Sequence, residues 1–203
     1  IDVQTKDDQT SLQAEKMLIA IGRKANSDQL GLENTNVERA ENGKIQVNSF
    51  YQTKDNHIYA IGDVIGGEQL AHVASREGIL AVEHMAGKQI EPLDYESVPK
   101  SIYSNPEIAS IGLTEDEARA KGYDIATGKF SFAYNGKALI HGNGTGFVKI
   151  ITDKRSEDLL GIHMIGPKVT ELISEGGLAK VLDATPWEIS QNIYPHPTLS
   201  EVI

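Results

Sequence analysis

The sequence predicts an α+β fold whose C-terminal part is an antiparallel sheet with flanking helices. Apolar and polar residues alternate in three stretches, as is typical of strands with one solvated face: "YDIATGKFSFAYN", "GFVKIITDK" and "LLGIHMIG". Apolar residues recur at helical spacing in "LAHVASREGILAVEHMAG", and "KVTELISEGGLAKVLDA" and "TPWEISQNI" are also predicted to be helices. Residues 88–98, "KQIEPLDYESV", separate this block from the preceding part and are interpreted as a linker.

Composition limits the functions of these residues. The 203 residues are enough for one large domain or two small ones. The formal net charge of -10 disfavours a nucleic-acid surface, because phosphate binding needs clustered Lys and Arg. The absence of cysteine excludes disulfides and thiolate chemistry within this sequence. No apolar run is long enough to predict a membrane span, and no signal peptide is recognisable, so we expect a cytoplasmic location.

Two predicted strands in the N-terminal part end in the same letters, "AIG". The apolar residues 17–21 are followed by Gly22, and residues 57–64, "HIYAIGDV", close on Gly62 and Asp63. Asn42 and Gly43 predict a tight turn before "KIQVN". The sequence begins on a bare strand edge, so we expect a fragment of a larger protein.

Asp63 has two interpretations from the sequence alone. A carboxylate just past a strand end lies where open α/β folds bind ligands, and it can accept hydrogen bonds from a polyol. Alternatively, Asp63 only closes a turn. Gly22 likewise fits an ordinary strand-loop junction, and His72 lies near any ligand that Asp63 would bind.

Helix ends are marked by capping residues. Gly87 follows the predicted helix that begins at Leu70, as a C-terminal glycine cap would. Thr114 stands three residues before Glu117 and predicts a capped short helix. Thr185 and the following proline predict the start of the helix "PWEISQNI".

The stretch "PHPTLSE" near the C-terminus is the most unusual in the chain. Pro195 and Pro197 restrict the backbone around His196, and their peptide bonds are candidates for cis geometry. Glu201 is placed either to form a capping box with Thr198 or to orient the His196 imidazole and raise its basicity. The motif alone does not decide between these roles. His57, His141 and His163 have no metal-like spacing, so we expect no metal site. His84 is interpreted as a surface or core residue of its helix.

Taken together, these stretches resemble the C-terminal part of the dihydrolipoyl (lipoamide) dehydrogenases, flavoproteins of the pyridine-nucleotide disulfide oxidoreductase family. The resemblance covers essentially the whole chain. It rests on stretches that occur in this order: "LIAIGRKAN", "IYAIGDV", "QLAHVASREG", "YSNPEIASIGLTEDEA", "GFVKIITD", "LLGIHMIG" and "YPHPTLSEVI".

The resemblance implies three parts along the chain. Residues 1–26 would be the tail of an NAD-binding domain, and residues 27–96 the second part of an FAD-binding α/β domain. Residues 97–203 would form the interface domain through which the enzyme makes a homodimer. The dihydrolipoyl acyltransferase component of a 2-oxo acid dehydrogenase complex would be a further partner.

The resemblance also implies roles for individual residues. His196 and Glu201 would form the catalytic dyad, which reaches across the dimer to the other subunit's flavin and redox disulfide. Asp63 would hydrogen-bond the ribityl chain of FAD, and Gly22 would lie beside NAD. The residues expected to line the flavin are Gln69, Leu70, Ala71 and His72.

The sequence departs from the family in what it lacks. The first half of the FAD domain, the paired redox cysteines and the G-x-G-x-x-G of the NAD domain are absent from these residues. We therefore expect this chain alone to bind FAD weakly or not at all and to be inactive. One alternative is a glutathione-type disulfide reductase of the same family, against which Leu199 argues. The other is that the isolated chain is a dimerisation and partner-binding module.

Overall fold

A computed structural model describes residues 1–6 and 8–203 and divides the chain into two compact units. The first unit is Ile1–Pro92 and the second is Leu93–Ile203. Within the described residues, no helix is long and apolar enough to cross a membrane.

The first unit has little regular structure apart from one long helix. Strands β1 (Asp2–Gln4) and β2 (Gln9–Ser11) pair antiparallel. Helix α1 (Ala71–Met85) follows a single 3-10 turn at Gly62–Val64. Its end agrees with the sequence prediction, since Gly87 has φ 73° and its N–H donates to the carbonyl of His84.

The prediction of strands at residues 17–21 and 57–64 is wrong. Residues 17–21 form no strand, and the side chains of Leu18 and Ile21 are 90% and 96% exposed. Residues 57–64 contribute only an isolated bridge between Gln52 and Tyr59, followed by the 3-10 turn. An apolar run becomes a strand only where a neighbour accepts its backbone hydrogen bonds, and the described residues provide no such neighbour here.

The turn predicted at Asn42 and Gly43 is present. Gly43 has φ 82°, and its N–H donates to the carbonyl of Ala40. The turn joins an isolated antiparallel bridge between Arg39 and Ile45. The residues after the turn, "KIQVN", contribute only this bridge.

The second unit is built on an antiparallel sheet, as predicted, and this sheet has five strands. Its strands are β3 (Lys100–Ile102), β4 (Glu107–Gly112), β5 (Ile125–Ser131), β6 (Phe147–Asp153) and β7 (Leu159–Gly166). Their order across the sheet is β3-β4-β7-β6-β5. Strands β6 and β7, in whose sequences apolar and polar residues alternate, therefore each pair with a neighbouring strand on both sides.

Four helices accompany this sheet: α2 (Glu115–Ala120), α3 (Gly136–Ile140), α4 (Val169–Val181) and α5 (Pro186–Gln191). Helix α4 packs on β4 and β7 and covers the main core. Thr114 and Thr185 cap α2 and α5 as predicted, each within a full capping box. The largest fully buried side chains of this core are Ile111, Phe132, Ile162, Met164 and Ile173.

Glycine is required where β6 starts beside β7. Gly146 has φ 107°, and a Cβ there would lie 1.8 Å from the carbonyl oxygen of Ile165. Gly128 on β5 has open space around the corresponding position. A side chain therefore clashes at Gly146 and is accommodated at Gly128.

We expect Gly146→Ala to destabilise the second unit by at least about 2 kcal/mol, because it adds a backbone clash to a strained φ. Gly128→Ala is the matched control and should change stability by less than about 1 kcal/mol. Urea unfolding followed by the fluorescence of Trp187, the single tryptophan, measures both. Equal midpoints for the two variants would contradict the close-approach argument.

Candidate active site

The structure brings His196 and Glu201 together. Nδ1 of His196 lies 2.7 Å from Oε1 of Glu201. The peptide bond between His196 and Pro197 is cis. The imidazole is 76% exposed whereas the glutamate side chain is 26% exposed, so the carboxylate is the sheltered partner of an accessible ring.

Glu201 makes one contact from each of the alternatives that the sequence left open, one with the His196 imidazole and one with the backbone of Thr198. Its Oε1 meets His196, while its Oε2 accepts a hydrogen bond from the backbone N–H of Thr198 at 2.7 Å. Each carboxylate oxygen therefore has one partner. The carboxylate is fixed by the backbone and orients the imidazole at the same time.

The other hydrogen bond of the expected capping box, to the Thr198 hydroxyl, is not formed. The hydroxyl of Thr198 donates to the carbonyl of Pro195 at 2.7 Å instead of accepting from the following turn. The chain then forms a 3-10 turn at Ser200–Val202, whose N-cap residue Leu199 supplies no side-chain hydrogen bond. The hydroxyl thus links the two ends of residues 195–198, here called the histidine segment, and caps no α-helix.

The electrostatics of the pair favour an ionised carboxylate. The pKa of Glu201 is lowered, first by the backbone N–H of Thr198 and then by the hydrogen bond with His196. An ionised Glu201 accepts a hydrogen bond, so the proton on the neutral imidazole is assigned to Nδ1. Nε2 is then the nitrogen that can accept a proton from a substrate.

In the first unit, the 3-10 turn around Asp63 is held by a buried acid. The backbone N–H of Gly62 donates to Oε2 of Glu77 at 2.6 Å, and Glu77 is 1% exposed. A Cβ on Gly62 would lie 3.1 Å from Cβ of Ala74, so the turn packs closely on α1. Asp63 itself is 44% exposed and forms an ion pair with Arg23 at 2.6 Å.

The residues expected to line a flavin lie at the start of α1. Leu70 is the N-cap residue and makes no side-chain capping bond; Ala71 and the exposed His72 begin the helix. The carbonyl of Gln69 accepts from Nη2 of Arg23 at 3.3 Å. Gly22, with φ 132°, immediately precedes that arginine in the chain.

This arrangement fits the polar parts of a flavin cofactor. The exposed carboxylate of Asp63 can accept hydrogen bonds from polyol hydroxyls, and the start of α1, which has no side-chain cap, offers N–H donors.

Sequence reasoning missed Arg23 and Glu77. The sequence signals that could have indicated them are an arginine directly after Gly22 and an acidic residue among the apolar positions of α1. Within residues 1–6 and 8–203, no cluster of three or more His, Asp or Glu could hold a metal ion.

Comparison with known proteins places the chain in a family. Residues 98–203 match the dimerisation domain of the pyridine nucleotide-disulphide oxidoreductases, and residues 1–78 match a second domain of that family. The chain belongs to this family.

Its curated relatives include several dihydrolipoyl dehydrogenases. The chain is 63% identical over 199 residues to that of Bacillus subtilis, covering 98% of the chain and 42% of the relative. It is 43% identical over 187 residues to that of Zymomonas mobilis, covering 92% of the chain and 40% of the relative. The chain therefore spans about two fifths of the length of these relatives.

Solved structures of the family share the fold. The HOCl-induced flavoprotein disulfide reductase RclA from Escherichia coli superposes with a TM-score of 0.89 at 26% identity. This match covers 98% of the chain and 46% of RclA. LpdA from Mycobacterium tuberculosis superposes with a TM-score of 0.82 at 28% identity, covering 87% of the chain and 39% of LpdA.

The lowered pKa of Glu201 gives a pH-dependent prediction. Its contribution to stability is present above the ordinary value of 4.5 and is lost as the pH falls through the lowered folded-state value. Glu201→Gln should therefore be less stable than the wild type at neutral pH, and the difference should shrink in acid. Urea unfolding across this pH range measures it.

Glu157→Gln removes one exposed carboxylate of the same unit and controls for the change in net charge. Its unfolding midpoint should stay near that of the wild type. A stability difference between Glu201→Gln and the wild type that did not change with pH would contradict the assigned hydrogen bonds.

Proposed function

We propose that these residues are the C-terminal part of a dihydrolipoyl dehydrogenase, in which His196 is the catalytic base. The observation that carries the proposal is the contact of His196 Nδ1 with Glu201 Oε1 at 2.7 Å, with the other carboxylate oxygen tied to the backbone. The identity to dihydrolipoyl dehydrogenases, which extends over 98% of the chain, supports the substrate.

The proposed proton transfer uses the unpaired side of the imidazole. A dithiol is mostly protonated near neutral pH and is therefore a weak nucleophile. Nε2 of His196 would take the proton of one dihydrolipoamide thiol, and Glu201 would stabilise the resulting imidazolium. The thiolate would attack the enzyme's disulfide, and the second thiol would then close the lipoamide ring, leaving the enzyme as a dithiol. This disulfide lies outside the present sequence, which has no cysteine.

The family implies FAD and a pyridine nucleotide in the intact enzyme, and these supply the acceptors for the two electrons. We propose that Asp63 binds the ribityl hydroxyls of FAD and that Gly22 lies beside NAD. The residues proposed to line the flavin remain Gln69, Leu70, Ala71 and His72. Their support is the outward carboxylate and the helix start without a side-chain cap.

A homodimer through residues 97–203 is part of the proposal. The matched domain is described as a dimerisation domain, and the end of α4 exposes three large apolar side chains. Leu178, Val181 and Leu182 are 60%, 75% and 67% exposed. Obligate interfaces bury such apolar surface. The dihydrolipoyl acyltransferase component, which would carry the substrate, is the proposed further partner.

The first test replaces the base in the full-length enzyme. His196→Gln should lower the turnover of dihydrolipoamide with NAD by ~10²- to 10⁴-fold, because proton removal from the thiol is lost. The flavin content should stay unchanged. His57→Gln, an exposed histidine of the first unit, should retain wild-type turnover.

Two outcomes would refute the proposal. One is wild-type turnover of dihydrolipoamide by the His196→Gln enzyme. The other is a full-length enzyme that reduces glutathione disulfide and does not oxidise dihydrolipoamide, which would favour the glutathione-type alternative.

The second test uses the 203-residue chain alone. Purified by itself, it should show little or no flavin absorbance, because the first half of the FAD domain is absent from these residues. It should show no dihydrolipoamide turnover, because it contains no cysteine to form the redox disulfide. An absorption scan and a turnover assay on one sample of verified mass are sufficient. A flavin spectrum with turnover from this chain would disprove the expectation.

A further inference from the structure

Asn135 is a buried polar side chain that connects two distant parts of the second unit. It is 3% exposed. Its Oδ1 accepts from the backbone N–H of Ala138 at 2.9 Å and caps α3. Its Nδ2 donates to the backbone carbonyl of Thr198 at 3.0 Å. A cap needs only the first bond, which Ser, Thr or Asp would also make, so the second bond has no role in forming α3.

The second bond completes the hydrogen bonding of the residue that holds the dyad. The N–H of Thr198 donates to Glu201 Oε2, its hydroxyl donates to the carbonyl of Pro195, and its carbonyl accepts from Asn135. Every polar group of Thr198 is therefore fixed. Because the N–H of Thr198 fixes the Glu201 carboxylate, the position of Thr198 determines where that carboxylate meets His196.

The start of α3 also lies near the imidazole. A Cβ added to Gly136 would lie 3.9 Å from Cε1 of His196, an ordinary contact distance. The ring is 76% exposed, so few contacts other than its own backbone segment orient it. On the other side of that segment, the hydroxyl of Tyr194 donates to the Glu175 carboxylate on α4. The histidine segment is thus anchored at both ends.

We propose that Asn135 is a positioning residue for the His196–Glu201 dyad. It acts through Thr198 and touches neither the thiol nor the flavin. This inference rests on the proposed function of His196 as a base. Without the amide donor, the Thr198 carbonyl loses its partner in a partly buried position and the segment shifts. A displacement of about 1 Å at a catalytic group can cost on the order of 10²-fold in rate.

The test uses the full-length, flavin-loaded enzyme with Asn135→Ser. Serine retains a good N-cap for α3 but is too short to reach the Thr198 carbonyl. We expect kcat for dihydrolipoamide to fall about 10- to 100-fold, while KM and flavin content stay close to the wild type. Thr114→Ala is the control, because it removes a cap from α2 and lowers stability without touching the dyad. Its kcat should be unchanged.

Asn135→Asp is the second variant. It has the size of asparagine and still caps α3, but it presents a carboxylate oxygen to the Thr198 carbonyl in place of a donor. Its kcat should fall at least as much as that of Asn135→Ser. If neither variant yielded folded, flavin-loaded enzyme, Asn135 would have a purely structural role and the proposal would be overturned.

A double-mutant cycle separates positioning from a general loss of stability. If Asn135 acts through the dyad, Asn135→Ser should have a much smaller effect on kcat in a Glu201→Gln background than in the wild type. Additive losses, or wild-type kcat in Asn135→Ser, would overturn the inference.

The cycle is measured on whichever dithiol or disulfide the wild-type enzyme turns over. An impaired His196→Gln beside an unimpaired Asn135→Ser would refute the positioning role alone.

Discussion

The candidate site depends on one carboxylate that has two partners. Glu201 uses one oxygen for the imidazole of His196 and the other for the backbone of Thr198. An exposed ion pair between flexible side chains contributes little to stability and orients poorly. Here the acid is tied to a backbone amide within the same short loop, and its charge-assisted hydrogen bonds are stronger than neutral ones. The loop therefore supplies the orientation that the exposed imidazole lacks.

A similar arrangement sets the position of Asp63 in the first unit. Its exposed ion pair with Arg23 is worth at most about 1 kcal/mol. The hydrogen bond from Gly62 to the buried Glu77 carboxylate belongs to a class worth about 1.5–3 kcal/mol. The buried bond therefore dominates in holding the turn, and Arg23 partly balances the charge of Asp63. In both places a carboxylate that binds backbone N–H fixes the loop that carries a proposed site residue.

The sequence predicts features that depend on near neighbours and misses those that depend on distant ones. The cap at Thr114 and the glycine at Gly87 were predictable because both ends of each hydrogen bond lie within one turn. The second-unit sheet was predictable because its alternation is long and repeated. Residues 17–21 form a continuous apolar run, which also predicts a strand, but a strand needs a partner as well. The hydrogen bond from Asn135 to Thr198 joins residues 63 positions apart, and no local sequence pattern predicts it.

Preorganisation is the property that the two candidate sites share. The hydrogen bonds to Glu201 and Thr198 come from residues of the second unit, and those around Asp63 come from residues of the first. Each site is therefore shaped by its own unit before any ligand is present. Groups held in place in advance do not pay the cost of ordering when a substrate binds. The proposed role of His196 as a base depends on this condition, because the exposure that would let a thiol approach the ring would otherwise leave the ring free to turn away.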